Sequence, residues 1–210
     1  MFKVPSITYY FLLLLIVPIF YLGKQIKNKS TIYHLSFFLF LLEIFKQVYL
    51  LVNNIWSIWY LPFQLCSMPL YLFIFKNNKA YLKFIKTYSL LGAIAAIVYP
   101  MDMIAHGLIL CIHSYLFHYT IILMAAIVIF NKLDEETTFK QATILFLIMC
   151  LIATIINLSL NSFGEINMFY INCLRRSYQP IINKITNTCL ANTLYILVII
   201  IVSYLIEYFI

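Results

Sequence analysis

Glu43 and Lys46 sit inside an otherwise apolar run, residues 32–51, where charge is out of place. An ionisable side chain within a membrane-spanning helix costs on the order of 2.5–3.5 kcal/mol, so each one asks for a reason. Three residues apart, the two share a helix face and can pair. Such a pair can fix helix packing or serve a site, and both readings stay open here. A second polar island follows at Leu61-Pro62-Phe63-Gln64-Leu65-Cys66-Ser67-Met68-Pro69-Leu70. Pro69 falls inside its segment, removes a backbone donor and frees a carbonyl near Leu65, which predicts a kink. Gln64, Cys66 and Ser67 lie beside that kink. Cys66 reads either as a small apolar residue or as a thiol placed for chemistry. A third group, His113, Ser114 and His118, interrupts the run 108–130. The two histidines are five residues apart and point in different directions, so they are no clean metal pair. Interhelical hydrogen bonding is their ordinary use. No metal or organic cofactor is expected.

These residues need elements to hold them, and the composition says what those elements are. Of 210 residues, 64% are hydrophobic and only 10% charged, with a mean hydropathy of +0.97. Soluble domains average about 25% charged residues, so lipid is the expected solvent for most of this surface. The fold class expected is all-α: a polytopic transmembrane bundle forming one integral membrane domain over residues 1–210. Seven spans are read at about residues 6–22, 32–51, 61–75, 82–99, 108–130, 143–160 and 193–210. Helices are the default because the backbone must satisfy its own hydrogen bonds in lipid. No run alternates as the strands of a membrane barrel would. The apolar kernels of the third and fourth spans, at 61–75 and 87–99, are short and extend into lysine-rich flanks. Residues 1–22 read as the first span rather than a cleaved signal, since no A-x-A-like site follows.

Lysine and arginine set the orientation. Nine lie in the first, third and fifth connections (Lys24, Lys27, Lys29, Lys76, Lys79, Lys83, Lys86, Lys132, Lys140), against four on the opposite side (Lys3, Arg175, Arg176, Lys184). The N-terminus is expected outside and the C-terminus in the cytoplasm. The net charge of +7 therefore reflects topology and anionic lipid headgroups, and no nucleic-acid partner is expected. The five cysteines, Cys66, Cys111, Cys150, Cys173 and Cys189, show neither a CxxC pair nor a disulfide framework. In the long connection 161–192, the apolar stretch 166–174 suggests a re-entrant or interfacial helix. His34 and His106 fall at span edges. On this topology Cys66, Lys46, Glu43 and His118 all lie roughly 7–12 Å below the outer ends of their spans. Four costly or reactive side chains in one layer imply a shared pocket.

The runs Leu42-Glu43-Ile44-Phe45-Lys46-Gln47-Val48-Tyr49 and Leu61 to Leu70 resemble the YwaF-type bacterial integral membrane proteins. His113-Ser114-Tyr115-Leu116-Phe117-His118 and Gly164-Glu165-Ile166-Asn167-Met168-Phe169 extend that resemblance over about residues 42–169. That family is distantly similar to eukaryotic transmembrane protein 164, described as a phospholipid acyltransferase with a nucleophilic cysteine. It is also similar to the androgen-induced lipid hydrolases, which use an intramembrane Thr and His. The resemblance implies Cys66 as nucleophile and His118, or alternatively His113, as its base. Gln64, Glu43, Lys46 and Asn167 would support them, and a membrane glycerolipid of the bacterial cell membrane would be the substrate. Two rival readings use the same residues. A solute or ion transporter would use Glu43 and Lys46 as a relay, and a non-catalytic membrane partner would need no reactive group. The lipid, the acceptor and the oligomeric state are not written in these residues.

Overall fold

The computed structural model describes residues 7–75, 78–100, 107–174 and 188–210, and among them there is no strand. Six helices are long and apolar enough to cross a membrane. We label them α1 (Ile7–Gln25), α2 (Thr31–Val52), α3 (Lys79–Val98), α4 (Leu108–Asn131), α5 (Phe139–Leu160) and α6 (Thr188–Phe209). Each interior backbone donor reaches the carbonyl four residues back, which is why apolar runs of this length settle as helix in lipid. Two helices carry irregularities with local causes. Helix α1 breaks between Leu14 and Ile16, where Pro18 has no N–H for the Leu14 carbonyl and its ring crowds that turn. Helix α3 widens into a π-turn at Ile85–Ser89. The start of α5 is a capping box, Thr138 with Gln141.

The segment expected as the third span, 61–75, makes a pass but not an α-helix. It is built from 3-10 turns at Ile58–Tyr60 and Leu65–Tyr71, joined by extended residues. Pro62 forces the preceding Leu61 into extended geometry (φ −56°, ψ 138°), and Pro69 lies inside the second turn. Its polar backbone is satisfied from neighbouring elements. Gln47 Nε2 donates to the Tyr60 carbonyl at 2.7 Å. Ser36 Oγ donates to the Pro69 carbonyl (2.8 Å) and accepts from the Phe73 amide (3.1 Å). The Tyr71 hydroxyl donates to the Pro62 carbonyl at 2.8 Å, and the Tyr81 hydroxyl donates to the Met68 carbonyl. Gln47 and Ser36 are eleven residues apart on α2, roughly 16 Å along its axis. The segment therefore travels back down α2 from one end of the bundle to the other.

Among the described residues this return makes seven passes, six helical and one irregular, so the two described chain ends lie at opposite ends of the bundle. At one end the Asn131 amide donates to the Ile26 carbonyl, and Lys83 pairs with Asp134 and Glu207. At the other, the Tyr9 hydroxyl donates to the Val98 carbonyl at 2.7 Å. Helices α1 and α4 cross closely: a Cβ added to Gly23 would lie 2.4 Å from the Ala126 Cβ, so only glycine fits. The core between α2, α3, α4 and α5 includes Leu39, Phe84, Tyr88, Ile121, Met124 and Phe146, while leucine, isoleucine and phenylalanine cover the outside. The stretch 166–174, expected as a helix, instead forms a buried turn with one short 3-10 element at Met168–Tyr170. Asn157 of α5 grips it from both sides, donating to the Met168 carbonyl (3.0 Å) and accepting from the Met168 amide (2.7 Å). A side chain that satisfies two backbone groups at once removes the need for helix there.

Candidate active site

A cavity of about 570 Å³ opens in the half of the bundle away from the lysine-rich end. Six elements line it: α2 with Glu43 and Lys46, the irregular pass with Gln64, Cys66 and Ser67, α3 with Gly92, Ala95 and Ala96, α4 with His113, Ser114 and His118, the 166–174 turn with Tyr170, and α6 with Tyr195. The space exists because the α3 face is nearly bare of side chains; Gly92 packs directly under the Cys66 backbone, 3.5 Å from where a Cβ would stand.

The polar groups of α2 form a ladder. Glu43 Oε1 accepts from Lys46 Nζ at 2.7 Å and from Gln47 Nε2 at 2.6 Å. Gln47 also bonds the Tyr60 carbonyl and accepts from Trp56 Nε1 at 2.7 Å. The pair thus shares a face as its spacing requires, and the same ladder anchors the upper end of the irregular pass. Cys66 stands on that pass one residue inside the 3-10 turn, which begins where Gln64 is extended.

The two histidines differ in how their nitrogens are used. His113 Nε2 donates to the Leu42 carbonyl at 2.9 Å, and its ring stacks between Phe45 and Phe117. It ties α4 to α2. His118 Nδ1 lies 2.6 Å from the Ser114 carbonyl, and a carbonyl only accepts, so the proton belongs on Nδ1. In the neutral ring that leaves the His118 Nε2 lone pair free, and this atom is buried with no partner. An imidazole held this way has an acceptor atom to spare.

Gln64 and Asn167 are placed less simply. Gln64 lines the cavity but its amide is committed to the 166–172 turn, accepting from the Phe169 amide (2.9 Å) and donating to the Asn167 carbonyl (3.3 Å). Asn167 stands behind the cavity wall, its Oδ1 accepting from the Asn172 amide at 2.8 Å. Together they brace a strained turn: Phe169 and Tyr170 have φ of 56° and 57°, left-handed values that bulky residues seldom adopt. The product of that strain is Tyr170, which reaches the cavity. His34, on α2, is exposed, and His106 lies outside the described residues.

Tyr195 escaped the reading of the sequence. Its hydroxyl has no hydrogen-bond partner among the described residues, and it lines the cavity with Cys66 and His118. A signal was present: Asn192, Tyr195, Ile199 and Ser203 recur at helical spacing and mark the inward face of α6. A second network also went unread, because its lysines were counted as loop charges. Lys83 and Lys86 belong to α3 and are buried, with Lys83 3.0 Å from Asp134 and Lys86 3.1 Å from Glu207.

Six apolar helices and one irregular pass among the described residues, around a cavity lined by a thiol, an imidazole and an ion pair, define a multi-pass helical membrane protein. The chain belongs to the TMEM164 family, whose model matches residues 2–207. No curated protein and no solved structure matches it.

Proposed function

We propose that this chain is a YwaF-type protein of the bacterial cell membrane that cleaves a glycerolipid acyl ester through Cys66, passing the acyl group to water or to a lysolipid hydroxyl. The single observation that carries this reading is the shared cavity of Cys66 and His118, the latter with its Nε2 lone pair unpartnered. In this reading His118 Nε2 takes the thiol proton and the Cys66 sulfur attacks the ester carbonyl carbon. The tetrahedral oxyanion is met by Lys46 Nζ and the Tyr195 hydroxyl, both on the cavity wall. Collapse breaks the C–O bond, and His118 returns its proton to the leaving glycerol oxygen. The acyl group then rests on Cys66 as a thioester. The acceptor hydroxyl loses its proton to His118, attacks the thioester and restores the thiol. Glu43 neutralises Lys46, Gln47 steadies both, and Gln64 braces the Tyr170 turn rather than the oxyanion. His113, bonded to the Leu42 carbonyl, holds α4 against α2.

The lysine distribution supports an orientation with the cavity in the outer half of the membrane and the C-terminus in the cytoplasm. Ester carbonyls of outer-leaflet lipids would then lie at cavity depth.

The test is acyl trapping. Purified protein incubated with a fluorescent-acyl glycerolipid is expected to carry a hydroxylamine-labile label on the Cys66 peptide. The Cys66→Ala protein is expected to carry none and to release no lysolipid. Lysolipid release by Cys66→Ala at the wild-type rate overturns the proposal. The buried Glu43–Lys46 pair favours a second reading, a transporter, and solute uptake that needs Glu43 and ignores Cys66 would support it instead.

A further inference from the structure

Two cysteines outside the cavity meet at its rim. Cys173 ends the turn that delivers Tyr170 to the cavity wall, and Cys189 lies in the first turn of α6, the helix that delivers Tyr195. Both are exposed, whereas Cys111 and Cys150 are buried. The Cys173 sulfur accepts from Asn192 Nδ2 at 3.9 Å. Asn192 is one helical turn beyond Cys189 on the same face of α6, so Cys173 rests over that first turn. Burial, together with the neighbouring Cys189 thiol, raises Cys173 above the ordinary thiol value. These residues are sixteen apart in the chain, a spacing that shows no motif; only the packing of the turn against α6 joins them.

We propose that Cys173 and Cys189 form a reversible disulfide that fastens the 166–174 turn to the start of α6 at the cavity rim. The oxidant is a low-molecular-weight disulfide or an extracytoplasmic thiol–disulfide oxidoreductase. One protein thiolate attacks the oxidant's disulfide, releasing one thiol and forming a mixed disulfide. The second protein thiolate attacks the protein sulfur of that bond and releases the second thiol, so two S–H bonds are exchanged for one S–S bond. The orientation drawn from the lysines puts this rim outside, the compartment in which disulfides persist. Oxidised, the clasp joins the two elements that carry Tyr170 and Tyr195 and holds two walls of the cavity at fixed separation. Reduced, the turn remains tied to the bundle through Gln64 and Asn157 and to α6 through the long Asn192–Cys173 contact, with no covalent link to it.

This inference does not rest on the acyl-transfer reading, and its test is read in wild type and in Cys66→Ala alike. Purified protein is equilibrated with oxidised glutathione, alkylated and mapped by peptide mass spectrometry without reduction. The expected result is a Cys173–Cys189 linked peptide within one chain, lighter by two hydrogens than the separate thiols and lost on adding dithiothreitol. Cys173→Ser and Cys189→Ser should each abolish it. In intact cells a membrane-impermeant maleimide is expected to label this pair only after an impermeant reductant. Two fully alkylated thiols after the glutathione step, a link only between chains, or undiminished labelling of unreduced cells would each overturn the proposal.

Discussion

Lys83 and Lys86 at one end of the bundle, and Glu43 and Lys46 at the other, are equally out of place among apolar helices. At the lysine-rich end the two lysines meet two carboxylates, Asp134 and Glu207, in a neutral four-group network that ties α3 to the connection after α4 and to α6. None of the four lines the 570 Å³ cavity. At the cavity end one ion pair faces about 570 Å³ of space, together with an unpaired imidazole nitrogen and the Tyr195 phenol. Burial alone does not separate structural from functional polar groups. Buried atoms without a hydrogen-bond partner also occur away from the cavity, at Ser89, Tyr115 and Asn167 among the described residues, so what sets the cavity end apart is that His118 keeps its Nε2 acceptor in reserve beside open space, a thiol and an ion pair.

The sharpest way to test that contrast is to remove the reserve. His118→Gln is expected to lower lysolipid release about 100- to 10,000-fold, the range for loss of a positioned general base. Its thermal midpoint should stay close to that of wild type. A His118→Gln protein that is fully active but unstable would assign His118 to structure. Breaking the closed network should do the opposite. Lys83→Met leaves the Asp134 carboxylate buried with a weaker partner, which typically costs about 3–5 kcal/mol. Detergent-solubilised protein should melt markedly lower by intrinsic fluorescence, and Asp134→Asn in the same chain should recover part of the loss. Activity per folded molecule should be unchanged.

Tyr195→Phe falls next. Losing one oxyanion donor costs on the order of 100- to 1,000-fold in turnover with substrate affinity nearly kept. An unaltered turnover number would confine Tyr195 to lining the wall. Ser36→Ala tests the irregular pass itself. It strips partners from the Pro69 and Leu70 carbonyls and the Phe73 amide, and an orphaned buried group costs about 1–3 kcal/mol. The expected outcome is a lower melting point and a Cys66 thiol that reacts faster with maleimide.

The smallest effect belongs to the exposed pair Lys79–Glu136, whose lysine holds the Glu136 carboxyl below its ordinary range. A carboxylate lowered by folding stabilises above its unfolded value, and that contribution is lost as pH falls through the folded value. Wild type should therefore exceed Glu136→Gln in melting point slightly at neutral pH and not at all in acid. Exposure and salt keep the difference small.

Much of the fold could be read in advance, for reasons specific to lipid. Runs such as 108–130 and 143–160 have no other way to satisfy their backbones, and helices α4 and α5 cover them. The Glu43–Lys46 pair followed from spacing, and the grouping of Cys66 with His118 followed from shared depth. Other features had no local signature. Pro62 and Pro69 announce a break, yet the partners that make an irregular pass tolerable, Ser36, Gln47, Tyr71 and Tyr81, are scattered over some forty-five positions. Lys83 and Lys86 look like cationic flanks until Asp134 and Glu207 are brought beside them.

Hydropathy and the cost of charge in hydrocarbon were enough, by themselves, to establish a multi-pass helical bundle with a polar layer in one half, because each depends only on residue type and position along a helix. The packing of distant elements decided the rest. Which imidazole nitrogen is free, where the void lies, that Tyr195 enters it and that Cys173 meets Cys189 are all consequences of contacts between separate passes. Such contacts are set by the shapes of whole faces, and no single stretch of chain encodes them.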